Sequence, residues 1–388
     1  DIPPFRYLSG ITVGGSQLNY ALGNLASQAV SVGAIATSLG NDNIKWEQTA
    51  TFNAGANIGF FNNALTANFD YFNSTTTDML APTPIPSTSG VVENIYTNIA
   101  TMKNKGWEFS ATYRHTGENG FNFDITGNIS HTENKIVKLG SEDAEIEDGF
   151  LDFNNNGTTI TRKGLPVGSF NLYKTDGIFQ STAEIDAYKN ADGNKLQPDA
   201  QPGDLKFVDA DGNGTIDDGD KLIMGSGLPN LDLGLNINAS FKNFDFSMFL
   251  NGKQGQKMYN ATKTFLYKGF RSTDLLNAWT PTNTNTDVYR VSNNDLNFNS
   301  RVSDYFLEDA SFVRLRNLQI GYTIPNEFIS KYKLNRLRLY VGAYNLFTIT
   351  KYSGFDPDLS NTSTFSRGVD RGYYPISKSF VIGINVGL

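Results

Sequence analysis

Cysteine is absent from this chain of 388 residues, and histidine occurs only at His115 and His131. Thiol nucleophiles, disulfide scaffolds and Cys/His zinc sites are therefore excluded. A Ser-His-Asp relay would have to use one of these two histidines, and both fall in strand-like alternation, which points away from catalysis. Excess basic charge is also lacking. The formal net charge is −7 and Lys and Arg read as scattered along the chain, so no nucleic-acid surface is expected. Apolar runs fall short of the ~18 to 20 residues that span a bilayer as a helix. The opening Asp1-Ile2-Pro3-Pro4-Phe5-Arg6-Tyr7 has neither the basic start nor the apolar centre of a signal peptide. It reads as a cytoplasmic chain or as one whose N-terminal part lies elsewhere. At roughly 150 residues per domain, length alone suggests two or three domains.

What is plentiful is aromatic side chains, 13% of residues, and period-two alternation. Phe52, Ala54, Ala56, Ile58 and Phe60 share one face, opposite Thr51, Asn53, Gly55, Asn57 and Gly59. After a turn at Asn62-Asn63, Leu65, Ala67, Phe69 and Tyr71 continue the pattern, which predicts a hairpin. Alternation returns at 107–114, at 121–129 after the turn Glu118-Asn119-Gly120, at 231–241 and 244–250 around Lys242-Asn243, at 337–344 and at 379–388. About ten to twelve strands are expected in all.

Their expected length of ~9 to 14 residues exceeds the usual ~5 to 6 of globular sheets and matches the ~9 to 11 tilted residues that cross a bilayer. The polar face is Asn, Thr, Ser, Gly and Asp, which suits a wet lumen. Aromatics gather at Phe60-Phe61, Tyr71-Phe72, Tyr344 to Phe347 and Tyr373-Tyr374, as in interfacial girdles. On this reading the aromatic content belongs largely to lipid-facing walls and needs no large buried core. Short turns contrast with long polar connections expected at 78–102, 138–165, 181–228, 251–309 and 350–375, where binding would sit. An antiparallel sandwich with aromatic edges is the plainer alternative.

Several blocks then carry a resemblance: Asn43-Ile44-Lys45-Trp46-Glu47, Pro86-Ser87-Thr88-Ser89-Gly90, Asn104-Lys105-Gly106-Trp107-Glu108-Phe109, Gly168-Ser169-Phe170 and Lys174-Thr175-Asp176-Gly177-Ile178-Phe179. They are followed by Pro202-Gly203-Asp204-Leu205-Lys206-Phe207, Trp279-Thr280-Pro281, the run 307–317, Gly321-Tyr322-Thr323-Ile324-Pro325, Asn345-Leu346-Phe347 and Gly354-Phe355-Asp356-Pro357. In this order they resemble the SusC/RagA family of TonB-dependent outer-membrane transporters. The resemblance implies an all-β, antiparallel transmembrane β-barrel, with residues 1–388 forming the C-terminal part of a 22-stranded plugged barrel. It also implies a plug, a TonB-contacting segment and first barrel strands outside this chain. The implied function is TonB-dependent uptake of oligosaccharides or oligopeptides across the outer membrane, with a SusD-like lipoprotein as partner and no catalysis. The family usually ends on an aromatic residue, whereas this chain ends Gly387-Leu388.

One chemical motif stands out. Residues 209–220 fall in calcium-loop register: Asp209, Asp211 and Asn213 as oxygen ligands, Gly214 at the sharp turn, Thr215 through its carbonyl, Asp217 directly or through water, and Asp220 at the final position. Ile216 is the apolar plug. A structural Ca2+ is expected, against the alternative of an Asp/Gly-rich turn that binds nothing. Asp152-Phe153-Asn154-Asn155-Asn156-Gly157 is a weaker echo, read as a turn. Trp279 is expected to anchor its loop, with sugar stacking as the alternative. The polar stretch 281–299 is expected on an exposed surface. Arg314 and Arg316 flank a change of phase at Leu315, which predicts a bulge.

Two rival functions remain at this level: a calcium-stabilised surface β-protein for binding or adhesion, and a carbohydrate-active β-enzyme with paired carboxylates. The first requires the chain to close its own sheet. Whether its first and last strands pair with each other decides that.

Overall fold

A computed structural model describes residues 8–14, 19–22, 29–83, 88, 95–151, 156–358 and 363–387. The opening heptapeptide, most of the block at 86–90, residues 152–155 of the weaker metal echo and Leu388 lie outside the described residues.

Nine strands form one antiparallel sheet: β1 (Gln48–Phe60), β2 (Leu65–Thr83), β3 (Ile95–Thr116), β4 (Phe121–Leu139), β5 (Leu231–Phe241), β6 (Phe244–Gln254), β7 (Phe312–Thr323), β8 (Arg336–Thr350) and β9 (Ser379–Gly387). Each strand pairs with its neighbours in sequence, an up-and-down meander without crossovers. β1 and β9 are the two edges and do not pair with each other, so the described sheet is open.

The register explains why the chain alternates. One rung runs Ala56, Phe69, Phe109, Ile129, Leu233, Gly252, Val313, Ile349 across eight strands. The next runs Asn57, Asn68, Ser110, Asn128, Gly234, Asn251, Arg314, Thr348. Because successive side chains point to opposite faces, the first rung and its like make an apolar face and the second a polar one. The apolar face is uncovered: Phe380 is 74% and Ile382 85% exposed. A sheet that exposes its apolar side and lines its other side with amides has the arrangement of a barrel wall in lipid.

At one end the strands meet in short turns. Phe61, Asn62 and Asn63 all have positive φ, as does Lys242, so the two asparagines occupy a conformation that Asn tolerates better than most residues. The predicted bulge is present, with Arg316 as the extra residue: Phe249 pairs with Asn317 and Leu250 with Leu315. On the facing strand, Asn345 at φ 52° absorbs the mismatch.

The other end differs from expectation in two ways. The stretch 78–102, expected as a loop, is largely strand, since β2 runs to Thr83 and β3 starts at Ile95. Ala81, Ala100, Ile136 and Leu139 are buried there together with Val167, so loop residues cover the strand extensions. The long connections also build a substantial core of their own. Phe170, Leu172, Phe207, Tyr259, Val302 and Phe306 are essentially inaccessible to water. The expectation that aromatics serve mainly the lipid-facing wall is thereby corrected: many pack inside this loop layer, and edge-on pairs such as Tyr305 with Phe306 hold it. Its longest helix, Ala261–Lys268, is capped by the Asn260 side chain accepting from the Lys263 amide. Among the described residues no helix is long and apolar enough to cross a membrane.

Candidate functional site

The loop layer sits over the mouth of the wall, and its shape is set by polar side chains buried beneath it. Asp204, fully buried, receives the Arg290 guanidinium, the Asn299 amide at 2.8 Å and the Gln201 backbone amide at 2.8 Å. Gln197 donates to the Leu205 carbonyl at 3.0 Å and accepts from the Phe207 amide at 2.7 Å. A buried carboxylate is tolerable only when paired and hydrogen-bonded in this way. Gly203, at φ +94°, lets the backbone pass beneath the Trp279 ring, where a Cβ would clash. Trp279 is 7% exposed and donates to Gln180 at 2.9 Å. It anchors its loop as expected, but onto the neighbouring loop rather than onto the wall, and stacking on a sugar is closed to it.

A second group ties the last long connection to the wall. Arg314 on β7 donates to Thr348 at 2.7 Å and to Asp356. Arg316 pairs with Asp358 and donates to Asn251 at 2.8 Å, while Lys253 reaches Asp358 at 2.9 Å. Burial pushes the Asp358 carboxyl up, but Lys253, Arg316 and Arg314 outweigh it and hold it below the usual carboxylate range. Glu308, on the short loop-layer strand Leu307–Asp309, ties the same connection to the loop layer instead, accepting from the Ser353 amide and hydroxyl, both at 2.7 Å.

Along the polar face nearer the short turns, Arg338 pairs with Asp245 and with Gln319 at 3.1 Å, and Asn238 donates to Asp124 at 3.0 Å. Asp245, Gln319, Asn238 and Asp124, together with Asn122, Ser240 and Ser247, line a concavity of about 450 Å³. The wall thus offers hydrogen-bonding groups to a wet or protein-filled lumen.

The predicted metal residues sit on one loop. Asp209, Asp211 and Asp220 each bring a carboxylate oxygen to within 4.8 Å of the others. Asp209 accepts from the amides of Gly212 at 2.8 Å and Gly214 at 3.0 Å; Asp220, fully buried, accepts from Ala210 at 2.6 Å and Asp217 at 2.8 Å. Asn213 turns its amide nitrogen to Asp211 and Asp217, and its oxygen accepts from Thr215. The Gly219 amide, then Asn213 and Thr215, hold the Asp217 carboxyl below its usual range. The structure therefore brings three of the six predicted residues into one cluster and leaves Asn213, Thr215 and Asp217 in a supporting hydrogen-bond ring. Three hard, anionic oxygens with no cationic side chain among the loop residues fit an oxygen-seeking divalent cation.

A family model described as TonB dependent receptor-like, beta-barrel, matches residues 6–346. The chain belongs to the TonB-dependent receptor family. Similar proteins include TonB-dependent receptor P3 of Formosa agariphila, 36% identical over 363 residues that cover 91% of this chain and 35% of that protein. TonB-dependent receptor SusC of Bacteroides thetaiotaomicron is 29% identical over 360 residues, 89% of this chain and 32% of that protein. Among solved structures, the RagAB peptide transporter superposes with a TM-score of 0.75 at 27% identity, covering 98% of this chain and 38% of that one. The chain spans about a third of the length of these relatives.

As a TonB-dependent receptor of SusC/RagA type the chain is an outer-membrane β-barrel protein and not an enzyme. His131 engages the Asn230 carbonyl at 2.6 Å and His115 lies against Phe123, both on the wall. The Asp204–Arg290 and Arg314–Asp356 pairs escaped the sequence reading because nothing in local spacing links residues so far apart. The signal was that Asp204, Arg314 and Asp356 each fall in a family block, while Arg290 falls in none.

Proposed function

We propose that residues 1–388 form the C-terminal part of the wall and outer loop layer of an outer-membrane import channel. The plug, the TonB-contacting segment and the remaining strands would be supplied by the rest of the protein. The observation that carries this reading is the open sheet, apolar outside and polar inside, with unpaired edges at β1 and β9. A self-closed adhesion module would need those edges joined. In the proposed cycle TonB pulls on the plug, the polar inner face lets a hydrated substrate pass, and a SusD-like surface lipoprotein caps the loop layer. The substrate is an oligopeptide or an oligosaccharide; the first is favoured by the peptide transporter among the solved relatives. A strain lacking the full-length receptor should lose growth on one of the two substrate classes supplied as sole source. Unchanged growth and uptake on both would reject the proposal.

The calcium loop has a structural role in this reading. Asp209, Asp211 and Asp220 would hold Ca2+ with the Thr215 carbonyl, stiffening the loop layer beneath the substrate entrance. Support comes from the ligand register and the convergence of the three carboxylates.

A further inference from the structure

Lysines that look scattered in sequence are gathered by the register onto the lipid-facing side of the wall. On β3 and β4 the outward residues are Phe109, Trp107, Lys105, Lys103 and, on the neighbour, Ile129, His131, Glu133, Lys135. The rung Tyr71, Trp107, His131 marks the upper aromatic belt; the next two rungs are Asn73, Lys105, Glu133 and Thr75, Lys103, Lys135. At about 7 Å per two residues the lysines stand roughly 7 and 13 Å along the strands beyond the belt, at headgroup depth once strand tilt is included. Lys163 reaches the same place from the loop layer, and the four lysines line, with Glu133, Ile136 and Val137, a depression of about 490 Å³.

Only part of this charge is matched. Lys105 pairs with Glu133 at 2.9 Å and Lys163 pairs with Glu142, both on solvent-exposed side chains. Among the described residues no ion pair joins Lys103 or Lys135. A lipid-facing sheet gains nothing from like charges two rungs deep, since adjacent ammonium groups repel. From this we infer that the patch binds the phosphorylated headgroup of an outer-leaflet lipid. The phosphates sit among Lys103, Lys105, Lys135 and Lys163, and the acyl chains run down the continuous apolar strip at Phe109 and Ile129. Charge complementarity and that strip select a lipid over a free anion, because an anion alone leaves the apolar strip unused.

The test uses full-length receptor in detergent and native mass spectrometry, with diphosphoryl lipid A as probe. Lys103→Gln with Lys135→Gln should weaken retention of the lipid by about 25-fold, roughly fivefold per lysine. A charge-matched pair at the periplasmic end, Lys242→Gln with Lys331→Gln, should leave it within about twofold. Excess inorganic phosphate should not displace the lipid, and the dephosphorylated lipid should bind as poorly to the native receptor as the phosphorylated one does to the double variant. Equal binding by native and patch variants, an equal loss in the control pair, displacement by inorganic phosphate, or full binding of the dephosphorylated lipid would each overturn the assignment.

Discussion

Arg314 and Asp356 form an ion pair across forty-two positions of chain, with side chains only 3% and 5% exposed. The pair joins the wall to the last long connection, and the guanidinium also donates to the Thr348 hydroxyl. Removing one partner of a buried pair leaves a desolvated charge behind and costs about 3 to 5 kcal/mol. Arg314→Ala in the full-length receptor should therefore lower stability by about that amount, and Arg314→Lys should recover little, since an ammonium cannot span Thr348 and Asp356 together. Arg314→Met with Asp356→Leu should recover only part of the loss, because Asp356 also accepts from the Asp358 and Ile376 amides, which leucine leaves unpaired. Thermal unfolding followed by gel mobility of the barrel measures all three; a loss below about 1 kcal/mol in Arg314→Ala would show that the pair is not the tie described.

Acid should loosen the same connection. The Asp358 carboxyl is held low in the folded state, so it binds a proton less readily there than in the unfolded chain. Such a group stabilises the fold fully above its unfolded value of about 3.9, and the contribution is lost as pH falls through the lower folded value. Cleavage of the outer loops by an acid-active protease should thus rise below about pH 4. In Asp358→Asn that rise should be blunted and the starting rate higher.

How much of this was legible beforehand depends on range. The hairpin at 51–72, the turns at Asn62-Asn63 and Lys242-Asn243 and the bulge near Leu315 follow from neighbours in sequence, and each is present. The loop layer was not legible, because its core joins Phe170, Phe207, Tyr259 and Phe306 from separate connections with no common period. Polar loop composition concealed it: Arg290 falls in the stretch 281–299 expected on an exposed surface, yet it pairs with the fully buried Asp204. In the metal loop, register picked out Asp209, Asp211 and Asp220, whose carboxylates converge. It also made Asn213 an oxygen ligand, whereas the Asn213 amide nitrogen turns to the carboxylates of Asp211 and Asp217 and its oxygen accepts from Thr215.

Gly106 tests why one family block contains glycine. It lies mid-strand on β3, and a Cβ there would come within 2.1 Å of the His131 carbonyl oxygen and 2.7 Å of the Phe72 ring. The ring can move but the paired backbone cannot. Gly106→Ala should destabilise the barrel by about 1 to 3 kcal/mol, and Phe72→Leu in the same chain should relieve only part of it. Full recovery by Phe72→Leu would mean that the ring alone sets the requirement.

The metal proposal makes a stoichiometric claim. Purified full-length receptor, dialysed against buffer with micromolar calcium and analysed by elemental mass spectrometry, should retain about one Ca2+ beyond any bound elsewhere, as counted in an Asp209→Asn, Asp211→Asn variant. That double variant removes two of the three converging charges and keeps groups of nearly the same shape. Asp220→Asn is the less informative change, because Asp220 also accepts from Ala210 and Asp217 and its loss would disturb the loop with or without a metal. Chelation should expose the loop layer to protease in the native receptor and change nothing in the double variant, since three clustered carboxylates repel only when the cation between them is withdrawn. Identical calcium content in the two proteins would leave the loop as a hydrogen-bonded turn.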